Sequence, residues 1–238
     1  MTHQFAFMVT SAINTKFGVY DNDTRLKQTL ETIVSIKKYV PNARIILVEC
    51  GAIPLTPVQE FVLEAEVAEI ISFNDDEDVK AIFVSDNWDV VKNTTEVMCF
   101  KRALEHCLEY NLFEGIDRVF KMSGRYRLNG NFDLAQYIMA PDSIVTTHKH
   151  SSQFPHQVTL VEYQYMSRLW SWPTNITERI INEVYSAGLN YMAERLSQGG
   201  YCDIEHMLYK FLPANLILEV NKVGLEGNIG PNGMAVND

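Results

Sequence analysis

The chain has 238 residues, 47% hydrophobic and 21% charged, with a net charge of −10. That is the make-up of a folded soluble protein with one large core, or one core and a smaller lobe. The acidic balance argues against a nucleic-acid surface, which needs a basic stripe, but leaves room for a nucleotide held by a few local cations. No apolar run nears the roughly 20 residues that span a bilayer. The first residues lack the basic region of a signal peptide, and Cys50, Cys99, Cys107 and Cys202 have no metal-finger spacing, so a reduced, cytoplasmic protein with buried thiols is expected.

In chain order, Phe5 to Thr10 reads as a short apolar strand running into Ser11-Ala12-Ile13-Asn14, small and polar residues that leave the backbone open to a ligand. A helix is predicted from Arg25 to Tyr39, with Leu26, Leu30, Ile33 and Val34 on one face and Pro41 as its stop. Arg44 to Glu49 is nearly continuous in apolar residues, as a strand covered on both faces should be. Pro57 opens a short helix, and Glu69 to Phe73 supplies a third strand. The strand–helix alternation argues for a parallel sheet with right-handed crossovers.

Asn74 to Asp78 carries four consecutive acids and reads as a solvated loop rather than a metal site. The stretch up to Lys92 is expected to be irregular, with Trp88 as an anchor. Thr94 to Leu112 has the strongest helical pattern, Val97, Phe100, Leu104, Cys107 and Leu108 recurring at three- and four-residue spacing. It leads into an apolar strand at Val119 to Met122 that ends at Ser123-Gly124-Arg125. Gly124 has no side chain to pack, and Arg125 and Arg127 call for water or an anion. A glycine beside an arginine at a strand's carboxyl end lets backbone and guanidinium approach one ligand together, and open α/β sheets bind ligands at that edge.

Beyond Asp133 the alternation loosens. Ser143 to Thr147 and Val158 to Tyr165 read as antiparallel or edge strands. The histidines at 148, 150 and 156 have no carboxylate or cysteine at ligand spacing. Trp170 and Trp172 form an aromatic patch that either stacks on sugar faces or fills a core. A long helix is predicted from Thr177 to Leu196 and a second from Cys202 to Leu212. The tail, with Gly224, Gly227, Gly230 and Gly233, reads as an extended lid or wrap. No linker divides the chain. One domain is expected, with residues 1–133 as a nucleotide-binding half and 134–238 as a mixed, partly helical acceptor-side half.

Asp203 and Glu205 are the acid–base candidates. At a helix start the ionised carboxylate is favoured, and it could take a proton from an attacking hydroxyl. Asp203 could equally be only an N-cap. The two side chains point in different directions, so at most one is the base. GxGxxG, GxxxxGK[ST], GxSxG and HExxH are all absent.

The phrase FKMSGRYRLNGNFD, Phe120 to Asp133, resembles the K-x-[ST]-G-R-Y…F-D phrase of small, often bacterial or phage-encoded, glycosyltransferase-like proteins. The order of segments is similar to nucleotide-sugar glycosyltransferases of the GT-A fold, a Rossmann-like, mainly parallel sheet flanked by helices. The resemblance implies a UDP-sugar donor over the carboxyl ends of strands one and four, and transfer of a hexose to a hydroxyl acceptor on a glycan, lipid or protein. On that mapping Thr10, Ser11 and Ala12 would meet the nucleotide. Lys101 and Arg125 would lie near the base or diphosphate, with Ser123 and Gly124 beside them, and Asp203 or Glu205 would be the base. GT-A enzymes usually hold a divalent metal, Mn²⁺ or Mg²⁺, with Asp-x-Asp after strand four. This chain has Ser123-Gly124-Arg125 there. Either a fixed cation replaces the metal, or a metal is held by residues the sequence does not identify. A non-catalytic nucleotide-sugar or glycan binder, using Trp170 and Trp172, is the alternative.

Overall fold

The computed structural model describes residues 3–228 and 234–238. Strand β1 (Phe5–Ser11) leads through a loop to helix α1 (Asn22–Tyr39), then β2 (Arg44–Glu49), α2 (Pro57–Glu64) and β3 (Glu69–Ser72). Helix α3 (Glu77–Phe83) and a turn at Val90–Thr94 precede α4 (Thr95–Glu109) and β4 (Arg118–Ser123). These strands pair in parallel in the order β3-β2-β1-β4, the α/β arrangement expected from the sequence. Both faces of β1 and β2 are covered, which is why their sequences carry no polar alternation. Phe7, Val9, Ile45 and Leu47 pack toward α1 and α2. Met8, Ile46 and Val48 pack toward α4 and the helices that follow.

After β4 come β5 (Tyr126–Leu128), α5 (Leu134–Ile138), β6 (Ile144–Thr147), β7 (His150–Ser151), α6 (His156–Thr159), β8 (Tyr163–Gln164) and β9 (Leu169–Pro173). A continuous helical stretch runs from Thr177, through α7 (Thr177–Arg179) and wider turns, into α8 (Ala187–Ser197). Helix α9 (Ile204–Phe211), β10 (Ile217–Val220), β11 (Leu225–Asn228) and β12 (Ala235–Asn237) complete the described chain. The main sheet extends to seven strands, β10-β6-β9-β4-β1-β2-β3, in which β9 alone runs against its neighbours.

Several expectations are corrected. Val158 to Tyr165 is not a strand. It divides into α6, a left-handed residue at Leu160 and the two-residue β8. The missing internal strand is LWSWP: Trp170 and Trp172 are fully buried on β9 between β4 and β6, so they fill the core and are no sugar-stacking surface. The acidic run is partly structured, because Asp76 caps α3 and both Asp76 and Asp78 pair with Arg102 of α4. On α1, Val34 points to solvent, while Thr29, Thr32 and Ser35 turn inward. The reason is local: the Thr32 hydroxyl donates to the Tyr126 carbonyl at 2.7 Å, and the Leu128 N–H donates to Ser35 Oγ at 3.0 Å. Polar helix residues thus satisfy the backbone of β5 that no sheet partner reaches on that side.

The tail does not read as a lid in its described part. Strand β11 pairs antiparallel with β5 and β12, and Asn129 and Asn131 donate to the carbonyl of Asp238. Gly230 and Gly233 lie outside the described residues. Among the described residues no helix is long and apolar enough to cross a membrane.

Gly224 joins the tail to this small sheet at φ +77°, and a Cβ there would sit 2.1 Å from the backbone nitrogen of Phe132. Gly224→Ala is therefore expected to cost more than about 2 kcal/mol, through backbone strain and a clash with rigid main chain. Urea denaturation of the two proteins measures it, and a loss near zero would show that the tail is not anchored there.

Candidate active site

The register Thr10↔Ser123 brings β1 and β4 to a common end at the carboxyl edge of the sheet. One residue further, the Gly124 N–H donates to the Thr10 carbonyl at 2.8 Å. A Cβ on Gly124 would lie 3.0 Å from that carbonyl and 3.2 Å from Thr29 Oγ1, so only glycine fits this approach without displacing its neighbours. A cleft opens here, with Thr10, Ser11, Ala12, Ser123, Gly124 and Arg125 on one side and Trp88, Lys92 and Glu96 on another. Counted out to its open mouth and into the solvent there, it spans about 880 Å³.

Six of the seven nucleotide-side residues expected from the sequence therefore line one cavity. Lys101 does not. It sits on α4 with its ammonium 2.6 Å from Glu105, away from the cleft lining. Arg127 also turns away, pairing with Glu31 and Glu226. Arg125 differs: its Nε is buried without a hydrogen-bond partner.

The cleft contains charged groups the sequence reading did not select. Arg25, buried at the start of α1, donates to the carbonyls of Ala12 at 2.9 Å, Tyr20 at 3.2 Å and Phe17 at 3.3 Å, holding the loop after β1. Burial, then the nearby Arg125, lowers its proton affinity. Glu49, at the end of β2, accepts from Ser11 Oγ and from the Ile13 N–H at 2.8 Å. Burial pushes its carboxyl up to about 7, against the pull of those two donors and of Arg25. Lys121 is wholly buried in β4 and donates to Glu96 at 2.9 Å and to the Ser167 carbonyl at 3.0 Å. Burial would raise the Glu96 carboxyl, but Lys121, with Arg125 and Lys92 through space, outweighs it and holds Glu96 below its ordinary range.

A signal for two of these existed. A lysine inside the strand VFKMS and a glutamate closing RIILVE are charges in buried positions, which require buried partners. Arg25, Lys92 and Glu96 carry no comparable mark, because they lie on helix or turn residues whose direction only the fold fixes.

Asp203 and Glu205 separate in role. Asp203 is the N-cap of α9, accepting from the His206 N–H at 3.0 Å, from His206 Nδ1 at 2.6 Å and from the Tyr201 hydroxyl at 3.2 Å. Burial raises its carboxyl, but these contacts win and hold it low. Glu205 accepts one hydrogen bond, from Ser167 Oγ at 2.5 Å. Burial, then the charge of Asp203, raises its carboxyl, and it feels both Lys92 and Glu96. It is not among the side chains that line the cleft, but it lies close to Lys92 and Glu96, which are.

A divalent cation finds no ready donor set. Among the described residues no three His, Cys, Asp or Glu side chains gather into a ligand group, the histidines included. Glu49 and Glu96 are each engaged by donors, and Arg125 stands at the strand-four end.

No family model matches the sequence, and no curated protein matches it. Among solved structures, core-mannan synthase A (CmsA/Ktr4) from Aspergillus fumigatus, in its Mn/GDP form, is similar, with a TM-score of 0.53 and 9% identity over 97% of this chain and 77% of that one. The likeness is one of fold, that of a GT-A-type nucleotide-sugar glycosyltransferase.

The folded Glu49 carboxyl, near 7, lies above its usual unfolded value of about 4.3. The folded state thus holds a proton that the unfolded state releases, and stability falls as pH rises from about 4.5 to above 7. Glu49→Gln mimics the protonated form and should remove that part of the slope. Its stability relative to the parent should rise by on the order of 1–3 kcal/mol between pH 5 and about pH 8. Denaturation at both pH values measures this, and parallel curves would contradict it.

Proposed function

We propose that the chain is a glycosyltransferase that moves a hexose from a UDP-sugar to a hydroxyl acceptor. The observation that carries this is the pair of unneutralised cations in the cleft. In a chain of net charge −10, Lys92 and Arg125 line one cavity, act on Glu96 only through space, and leave Arg125 Nε buried without an acceptor. A buried donor without a partner is costly, and a diphosphate supplies both the acceptor oxygens and the counter-charge. Position supports the same reading: Arg125 stands where β1 and β4 end, the edge at which α/β sheets bind ligands, and Lys92 lines the same cleft from the turn before α4. Its likeness in fold to a core-mannan synthase in a Mn/GDP form supports the reading of nucleotide-sugar chemistry.

In this reading Thr10, Ser11 and Ala12 line the nucleotide, and Ser123 and Gly124 let it approach the backbone. Lys92 and Arg125 balance the negative charge that develops on the leaving diphosphate, the role a metal ion plays where Asp-x-Asp is present. The acceptor oxygen bonds to the anomeric carbon as the bond from that carbon to the diphosphate oxygen breaks, and the acceptor's proton passes to Glu205. A base needs proton affinity near the working pH. Burial raises that of Glu205, whereas Asp203 is fixed as a cap and Glu96 is neutralised by Lys121. Lys101 has no part. The acceptor is a glycan, lipid or protein hydroxyl.

Release of UDP from UDP-hexoses, with acceptor-free hydrolysis as the minimal readout, tests this in the presence of Mn²⁺ and of a chelator. Turnover that persists with chelator and falls about 10²–10⁴-fold in Glu205→Gln, with far smaller loss in Asp203→Asn, is expected, since asparagine also caps helices well. No UDP release under any condition would leave a nucleotide-sugar-binding protein without transferase activity. Equal losses in the two variants would refute the assignment of the base.

A further inference from the structure

Behind the proposed base, three side chains are joined in a line that no step above uses. His206 is fully buried. Its Nδ1 lies 2.6 Å from Asp203 Oδ1, and its Nε2 lies 2.8 Å from Ser152 Oγ. A carboxylate can only accept, so Nδ1 carries a hydrogen in every state. The variable proton belongs to Nε2.

The surroundings of Ser152 make that proton optional. Its Oγ accepts from the Phe154 N–H at 3.1 Å, and it has two targets for its single hydrogen, the Phe154 carbonyl at 2.9 Å and His206 Nε2 at 2.8 Å. With His206 neutral, the hydroxyl donates to Nε2. With His206 charged, Nε2–H donates to Oγ and the hydroxyl turns to the Phe154 carbonyl. Both states of a buried imidazole are then fully hydrogen-bonded, which reduces the usual penalty for charging a histidine in the interior. Ser152 is itself partly exposed, so protons can exchange with solvent at that end.

We propose that Ser152, His206 and Asp203 form a proton-storing relay whose charge state sets the proton affinity of Glu205, making His206 a positioning residue for the base. When His206 is charged, its pair with Asp203 is neutral overall, and Glu205, two residues from Asp203, loses a repulsive neighbour. When His206 is neutral, the Asp203 charge is uncompensated, and Glu205 holds its proton more tightly. The influence of Asp203 on Glu205, second only to burial, agrees with this order. The other groups that face the pair are accounted for. Lys92 and Glu96 act on Glu205 from the turn before α4 and from α4 itself. The Tyr201 hydroxyl, on Asp203, and the Cys202 thiol are both pushed up by burial and then by the Asp203 charge, Cys202 to about 12, so both stay neutral in the working range. Phe154 and Tyr201 close over the imidazole with ring centroids 6.2 and 6.0 Å away. The relay's role rests on Glu205 being the base, but the coupling itself does not.

Nuclear magnetic resonance titration of the full chain tests it, following imidazole ¹⁵N and glutamate carboxyl ¹³C signals without donor or acceptor. Nδ1 of His206 should stay protonated throughout, so that any proton lost comes from Nε2. The Glu205 carboxyl signal should show a second inflection at the His206 midpoint, and His206→Gln should abolish it. Ser152→Ala leaves a charged Nε2–H without an acceptor, which costs more than a neutral nitrogen without a donor. It should lower the His206 midpoint by about half a pH unit or more. A Glu205 curve unchanged in His206→Gln would overturn the proposal. If His206→Gln does not fold, an unmoved His206 midpoint in Ser152→Ala overturns it equally. Coupling seen in a chain that binds no UDP-sugar would reject the transferase reading and leave the relay standing.

Discussion

Beyond the last rung of the parallel pair β1–β4, the Gly124 N–H still reaches the Thr10 carbonyl at 2.8 Å. This one backbone contact keeps the two chains together as they leave the sheet, so that Ser11-Ala12 and Gly124-Arg125 open the same cleft. It depends on the missing side chain at 124, where a Cβ would press on both Thr10 and Thr29. The loop after β1 is then fixed from two further directions, by Arg25 on its carbonyls and by Glu49 on Ser11 and the Ile13 N–H. A cleft edge with little freedom to rearrange is the consequence, and such rigidity limits the entropy a site loses on binding a ligand.

Charge is the second layer. Burying Lys121 in the centre of β4 is tolerable only with Glu96 and the Ser167 carbonyl as partners. Because Lys121 neutralises Glu96 from within, the charge left facing the cleft is that of Lys92 and Arg125, with Arg25 bonded to backbone carbonyls beside them. The same strand therefore supplies both the lysine of the hidden ion pair and, two residues past its end, the half-buried guanidinium of Arg125. Glu205 lies close to this arrangement with its proton affinity raised by burial, and the hydrogen-bonded line Asp203–His206–Ser152 adjoins it. The order of charges from β4 outward, one neutralised carboxylate, two free cations and a reluctant carboxylate, suits a reaction that expels an anion and collects a proton.

Much of this was legible in the amino-acid order. The βα alternation, the ends of β1, β2 and β4, and the cleft role of Thr10 to Ala12 and Ser123 to Arg125 all follow from apolar runs punctuated by small residues. What escaped had physical reasons. Strand β9 reads as an aromatic patch because LWSWP, buried on both faces, has no polar alternation and is bounded by no glycine. Val158 to Tyr165 has strand-forming residues, yet tertiary packing splits it at Leu160. The inward face of α1 uses Thr29, Thr32 and Ser35 against the β5 backbone, which a hydrophobic period cannot reveal. Lys101 follows the helical pattern correctly but faces Glu105 rather than the ligand edge. The choice between Asp203 and Glu205 needed hydrogen bonds, since both roles fit a helix start.

The central claim is that fixed cations of the cleft, Arg125 past the end of β4 foremost, hold a nucleoside diphosphate. Calorimetric titration of UDP and of uridine into the wild-type chain and into Arg125→Ala, all with chelator present, tests it most directly. UDP binding should weaken by about tenfold or more in the variant, the loss of one charge-assisted contact, while uridine binding stays unchanged. Equal weakening of both ligands, or UDP that binds no better than uridine to the wild-type chain, would contradict it.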